Sequence, residues 1–303
     1  MAEEKEIASF PKIWHLGSPE AENVFKGEVE VTEKIDGSQF SFGRTMAGDF
    51  VMRSKGVQIF PGSEPKMFKA TVEFALSVAA KIMPGTFIYG ESVTAPRHNT
   101  LTYGRVPLGS FMIFGVKAND TWESRHLALV ALAADLGCEA VPLLHQGTVD
   151  SLEKLNELLA LDSVLGGEKI EGVVIKNFSQ LAASAYSREC FAKLVREGFK
   201  ERNAVNFPKK KDTMSDFIEQ FRSESRWNKV IQHMREDGQL EGSPRDIGKL
   251  IVAVQEDLIR EEEQFIRKAL FDMFRKQIAG TAIKGLPEYY KNKLAESAFK
   301  VPA

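Results

Sequence analysis

Three times in succession between residues 24 and 60 the chain alternates apolar with polar residues, in "VFKGEVEVTEK", "GSQFSFGRT" and "AGDFVMRSKG". A period of two puts every second side chain on one face, so each run reads as a strand with one buried side. Gly48 marks the turn between the second and third. The turn between the first and second, "TEKIDGSQ", also holds a lone lysine beside its Asp-Gly pair. Asp-Gly is a common surface turn and lysine is usually solvated. The sharper alternative makes Lys34 a nucleophile, and the rest of the chain must then supply what such a lysine needs.

Residues 66–83, "KMFKATVEFALSVAAKIM", repeat at helical spacing and stop before Pro84-Gly85. "TFIYGESV" and "SFMIFGVKA" read as buried strands, joined by a polar stretch holding Pro96, Asn99, Gly104 and Pro107. Two helix-then-strand units follow. "ESRHLALVALAADLG" leads to "EAVPLL", and "DSLEKLNELLALD", opened by a capping-box-like Asp150 and Glu153, leads to "EGVVIKNF". "ECFAKLVR" is the last strand candidate, which gives a mixed α and β domain over residues 1–205.

The composition shifts at "NFPKKKD", and residues 206–303 read as helical. Phe217, Ile218, Phe221, Val230, Ile231 and Met234 form one apolar stripe. A second runs through Ile247, Leu250, Ile251, Val254 and Leu258, opened by Ser243-Pro244. "EEEQFIRKALFDMFRKQI" makes a third helix and "LPEYYKNKLAESAF", with Pro287 near its first turn, a fourth. No internal repeat or low-complexity tract interrupts this order.

Lys plus Arg number 40 against 42 Asp plus Glu; residues 209–303 hold 18 against 16, leaving 22 against 26 upstream. Neither part is a polyelectrolyte, so any contact with nucleic acid must come from a local patch. Cys138 and Cys190 lack partners at metal-ligand spacing and are expected as reduced interior thiols of an intracellular protein. The five histidines show no metal-ligand pairing and read as structural or surface residues. The acidic start "MAEEKEIASF" has no apolar core, and no segment reaches about 18 uninterrupted apolar residues. The expected location is cytoplasmic, or host cytoplasm for a viral protein, with no membrane partner.

A free lysine has a pKa of about 10.4 and is inert as a nucleophile at neutral pH. Neighbouring cations or a metal ion must lower that value, and an electrophile must lie close. "EKIDG", "RSKG", "YGES", "FMIFGV", "EGVVIK" and "FAKLV" occur here in the order and approximate spacing of motifs I, Ia, III, IIIa, IV and V of the covalent nucleotidyltransferases. The chain resembles that superfamily of ATP-dependent DNA and RNA ligases and mRNA capping enzymes over about residues 24–200. KxDG alone arises often by chance; six motifs in order do not.

The resemblance implies an α+β nucleotidyltransferase (ATP-grasp-like ligase) domain with mainly antiparallel sheets, followed by a small all-α domain. It implies that Lys34 attacks the α-phosphorus of ATP and keeps AMP. Glu33 and Ile35 beside it would help hold the nucleotide. Glu91 of "YGES" resembles the acid that binds the ribose hydroxyl, and Phe114 the ring stacked on the purine, a contact of about 1–3 kcal/mol. Glu171 would bind Mg²⁺, or Mn²⁺ in its place, through hard oxygen donors. Lys176 and Lys193 resemble the cations that neutralise the triphosphate and help deprotonate Lys34, and Arg53 the one that contacts phosphate or the reacting 3′ end. Beside these stand plainer readings: core burial for Phe114, a solvated strand end for Lys176, a surface charge for Arg53.

Two positions depart from the motifs. The second lysine of motif V is Val195 here, with Arg196 next to it, and Gln39 stands where relatives carry an asparagine. DNA ligases and capping enzymes usually continue into a strand-rich domain, whereas this chain continues into helices, which resembles the RNA ligase 2 class. That class implies a ligase joining 3′-hydroxyl and 5′-phosphate ends through lysyl-AMP and an adenylylated 5′ end. The expected partner is a nicked duplex containing RNA, bound by a monomer. Lysines 209–211 with Arg222, Arg226 and Lys229 are candidates for holding the flanking duplex. A DNA ligase of the same superfamily, or a non-catalytic nucleic-acid-binding relative, is the alternative; intact Lys34, Glu91, Glu171 and Lys193 argue against the latter.

Overall fold

The computed structural model describes residues 7–178, 191–196 and 213–298. Cys190 and lysines 209–211 lie outside the described residues. The three alternating runs form strands β2 (Val29–Lys34), β3 (Ser38–Arg44) and β4 (Phe50–Ser54). β2 and β3 do not pair. β2 lies between β10 (Leu143–Gly147) and β11 (Gly172–Lys176), antiparallel to both. β12 (Phe191–Val195) and the short β1 (Trp14–His15) extend that sheet, in the order β1-β12-β11-β2-β10.

The second sheet runs β5-β4-β3-β6-β7-β8, with β5 at Gln58–Ile59, β6 at Thr86–Ser92, β7 at Phe111–Ala118 and β8 at Thr121–Glu123. β9 (Glu139–Ala140) joins β7 in parallel, as β1 joins β12, and the other pairings are antiparallel. The segment expected as one strand, "EAVPLL", is therefore broken: β9 serves the second sheet and β10 the first. Pro142, which has no amide hydrogen to donate, stands in the gap.

Alternation sorts the core. Phe40, Phe42, Met52, Ile88, Phe111 and Ile113 turn to one side of the second sheet and pack on helices α1 (Lys69–Val78) and α2 (His126–Leu136). Val29, Val31, Val173 and Ile175 of the first sheet pack on Leu155 of α3 (Leu152–Leu159). The cap of α3 is Ser151, whose hydroxyl accepts from the Lys154 amide. The Asp150 and Glu153 pair expected there is one residue out of phase. Cys138 is buried and free, as read, its thiol pushed up to about 12 by burial and by Glu139.

The first helical stripe breaks into α4 (Thr213–Glu219) and α5 (Glu224–Glu236), with Ser223 capping the second through the Arg226 amide. Ser243 forms a capping box with Asp246, as Ser243-Pro244 suggested. The two helices expected next are one, α6 (Ile247–Ala282), 36 residues long, followed by α7 (Leu286–Ala298). Composition places the domain boundary at 205/206; the compact units are Met1–Ile251 and Val252–Ala303. α4 and α5 fall within the first of these units. Arg226 is buried, which removes it as a direct phosphate contact. Among the described residues no helix is long and apolar enough to cross a membrane.

Candidate active site

Lys34 ends β2 in one sheet and Ser38 begins β3 in the other, so Ile35-Asp36-Gly37 is the crossover between sheets. The crossover is held from several directions. Asp36 Oδ2 accepts from the amides of Thr100 at 2.8 Å and Leu101 at 2.7 Å, and the Asp36 amide donates to the Tyr103 hydroxyl at 2.7 Å. Ile35 is buried on Val93, Leu101, Tyr103 and Met112. Gly37 has no room for a side chain, since a Cβ would lie 2.8 Å from Ser92 O and 3.1 Å from Glu91 Cβ. The same need for close approach explains Gly172, where a Cβ would meet Leu194 O at 2.4 Å.

Gly172 pairs with Lys34 in register, which brings Glu171 alongside. Lys34 Nζ donates to Glu171 Oε2 at 2.6 Å. Glu91 comes from β6 in the other sheet, opposite Gln39. Its Oε2 is buried with no hydrogen-bond partner among the described residues. Such an atom is costly unless a ligand completes it.

Burial works to lower the pKa of Lys34, but Glu171, Glu91 and Asp36 outweigh it and hold the ammonium above its ordinary range. Burial pushes Glu91 up to about 8; Lys34 opposes this, while Glu171, Glu236 and Asp36 add to it. Glu171 is also raised, by burial first and against Lys34. The resting site therefore carries a protonated lysine among acidic side chains, the reverse of the cation-rich setting that the sequence called for.

A family model for RNA ligases matches residues 27–195, more than half of the chain. The chain belongs to the RNA ligase family. Solved structures similar to this RNA ligase family member include a Naegleria gruberi RNA ligase variant with ATP and Mn, at 16% identity and a TM-score of 0.49, covering 63% of this chain and 57% of that one. The same Naegleria gruberi RNA ligase with PPi gives 15%, 0.47, 63% and 56%. This chain thus spans less than two thirds of those proteins. No curated protein matches.

The remaining motif residues of this RNA ligase family member divide into two groups. Lys193 sits on β12 and acts electrostatically on Glu171, so it belongs to the Lys34 cluster. Phe114 is half-buried, its ring 4.8 Å from that of Phe10 in an edge contact. Three others are committed elsewhere. Glu33 accepts from Ser163 Oγ at 2.5 Å and from the Val164 amide at 3.1 Å, so it shapes the loop over Ser163–Val164. Arg53 is buried and donates to the carbonyls of Ile7, Ser54 and Lys55. Lys176 pairs with Glu30, four residues along β11 from the Lys34 partner, and donates to Ser124 O at 3.1 Å. Burial lowers Lys176 to about 8, with Glu30 and Glu123 opposing.

Sequence reasoning missed Ser38, His98, Gln232 and Glu236. His98 Nε2 lies 2.9 Å from Ser38 Oγ, which donates to Glu236 Oε1. Gln232 Nε2 donates to Gly37 O at 3.2 Å and to Glu236 Oε1 at 2.7 Å. Gln232 and Glu236 are four apart on α5, the one local sign that they act together.

Proposed function

We propose that this chain joins 3′-hydroxyl to 5′-phosphate ends of RNA, using ATP and an AMP carried on Lys34, as a monomer acting on a nicked duplex. The observation that carries the reading is the 2.6 Å contact of Lys34 Nζ with Glu171, made beside a Glu91 whose inner oxygen lacks a partner.

In the first step the Lys34 amine, having given up its proton, attacks the α-phosphorus of ATP. A nitrogen–phosphorus bond forms, the bond to the bridging oxygen breaks, and pyrophosphate leaves. In the second, an oxygen of the 5′-phosphate attacks the same phosphorus and Lys34 leaves, regaining a proton. In the third, the 3′-hydroxyl attacks the activated 5′-phosphate, loses its proton and expels AMP. In this reading Glu91 accepts a hydrogen bond from the ribose, Phe114 stacks on the base, and Lys193 faces phosphate charge.

Among the described residues no group of three or more His, Cys, Asp or Glu stands ready to hold a metal ion alone. A Mg²⁺ ion typically takes one or two carboxylates and completes its shell with phosphate oxygens and water. Glu171, in the cluster with Lys34, fits that role as one such carboxylate. When bound, the ion would supply the positive charge that draws Glu171 away from Lys34 and favours the free amine.

The test mixes protein and Mg²⁺ with α-phosphate-labelled ATP or GTP, beside Lys34→Ala, and measures label retained after denaturation. Label from ATP that vanishes in Lys34→Ala supports the reading; no retained label from either nucleotide overturns it. Sealing of RNA against DNA nicks then separates an RNA ligase from a DNA ligase.

A further inference from the structure

Outside the Lys34 cluster lies a groove of about 570 Å³. Lys66 lines it from the turn before α1, Lys69 and Glu73 from α1 itself, and Thr94, Arg97 and His98 from the loop after β6. Lys66, Lys69 and Arg97 are exposed, and among the described residues none of the three has a side-chain partner. Glu73 is the lone acid of the lining. Burial lowers His98 to about 4, so it is neutral at pH 7 and adds no charge.

The helix itself points to the same chemistry. A 3₁₀ turn over Lys66–Phe68 leads directly into α1, and neither segment has a side-chain cap or an acid in its first turn. Two lysines therefore sit at the positive end of the helix dipole, where an acid is normally favoured. The amides of Phe68 and Lys69 are taken by the carbonyls of Pro65 and Lys66, so a bound anion would answer the lysines.

The groove is also tied to the nucleophile. The loop that carries Arg97 and His98 fastens to the crossover through Asn99 Nδ2 on Gly37 O at 2.6 Å, through Thr100 and Leu101 on Asp36, and through His98 on Ser38.

We propose that this groove seats the phosphodiester backbone of the strand being joined, with Lys66, Lys69 and Arg97 each facing a phosphate. The identity of the ligand rests on the ligase reading above. Phosphate could equally arrive as the triphosphate of ATP, and the test separates the two sources.

The test compares the full chain with Lys66→Glu/Lys69→Glu and with Lys66→Ala/Lys69→Ala/Arg97→Ala, using a fluorescent 5′-phosphorylated RNA from about 50 to 200 mM salt. The proposal expects RNA affinity to fall about ten-fold or more in both variants. In the alanine variant the slope of log affinity against log salt becomes shallower by about 2, for three single-strand phosphate contacts. The glutamate variant should melt no lower than the parent, since it places acids at the helix start. Affinity within about two-fold of the parent, with the salt slope unchanged, overturns the proposal. So does a rise in the KM for ATP during lysyl-AMP formation with RNA affinity intact, which would give the groove to the triphosphate. Failure of the parent chain to form lysyl-AMP would instead sink the ligase reading, while the RNA comparison still decides the groove.

Discussion

Glu236 on α5 accepts a hydrogen bond from Ser38, a residue 198 positions earlier that opens the strand after the nucleophile's turn. Asp237, which ends that helix, accepts from Ser54 Oγ at the end of β4 at 3.4 Å. Motifs I and Ia are thus braced by one helix edge. Glu236→Ala should strip Ser38 and Gln232 of a shared acceptor, at a cost of about 1–3 kcal/mol, and slow lysyl-AMP formation. Glu236→Gln should recover most of both. Urea unfolding and single-turnover label uptake measure the two effects, and a chain ending before α5 should be impaired in lysyl-AMP formation as well as in sealing.

Lys34→Arg should keep an ion pair with Glu171 yet retain no label from ATP, because a guanidinium does not give up its proton. Its unfolding free energy should stay within about 1 kcal/mol of the parent, whereas Lys34→Ala, which leaves Glu171 without its partner, should lose about 1–3 kcal/mol. Equal stability of the two variants would show that the ion pair contributes nothing to the resting fold.

Glu91 gives a pH signature. Its folded pKa, about 8, lies above its unfolded value, so the folded state holds the extra proton between the ordinary carboxylate range and pH 8. Stability should fall with rising pH across that window, by at most about 1.4 kcal/mol per pH unit for one proton. Glu91→Gln removes the titration, so its gain in melting temperature over the parent should widen from pH 5 to pH 8. A constant difference would refute the assignment.

Lys176 and Lys193 should separate cleanly. A buried lysine lowered to about 8 weakens the fold below that pH, and the penalty fades as pH rises towards the unfolded value. Lys176→Met should therefore be within about 1 kcal/mol of the parent at pH 7, with lysyl-AMP formation reduced only modestly. Lys193→Ala removes a charge acting on Glu171 and should depress lysyl-AMP formation far more at similar stability. Matched kinetics for the two would place them in one functional cluster.

What could be read from the sequence were the groups whose neighbours in space are also fixed by strand register. Lys34, Glu91 and Glu171 sit on or beside strands with clear apolar periodicity, so their convergence followed from the motif order. Arg53 and Lys176 were legible as strand residues but not in their contacts, because whether a cation meets phosphate or main-chain carbonyl depends on segments such as Ile7 and Ser124 that carry no periodic signal. Glu236 was hidden for the same reason: an acid on a helix edge reads as solvated until its long-range partner is known. The acids at 261–263 suggest a new helix start but offer no cap residue to end the helix before them, so the two expected helices run on as α6.

The crossover of the chain from one sheet to the other at Asp36-Gly37 has a mechanical meaning. Glu91 and Phe114 ride on one sheet, Glu171 and Lys193 on the other, and a short tether joins them at the nucleophile. A molecule gripping both sides would act as a rivet across that seam, so nucleotide should stiffen the two layers against sliding well before any bond to Lys34 is made.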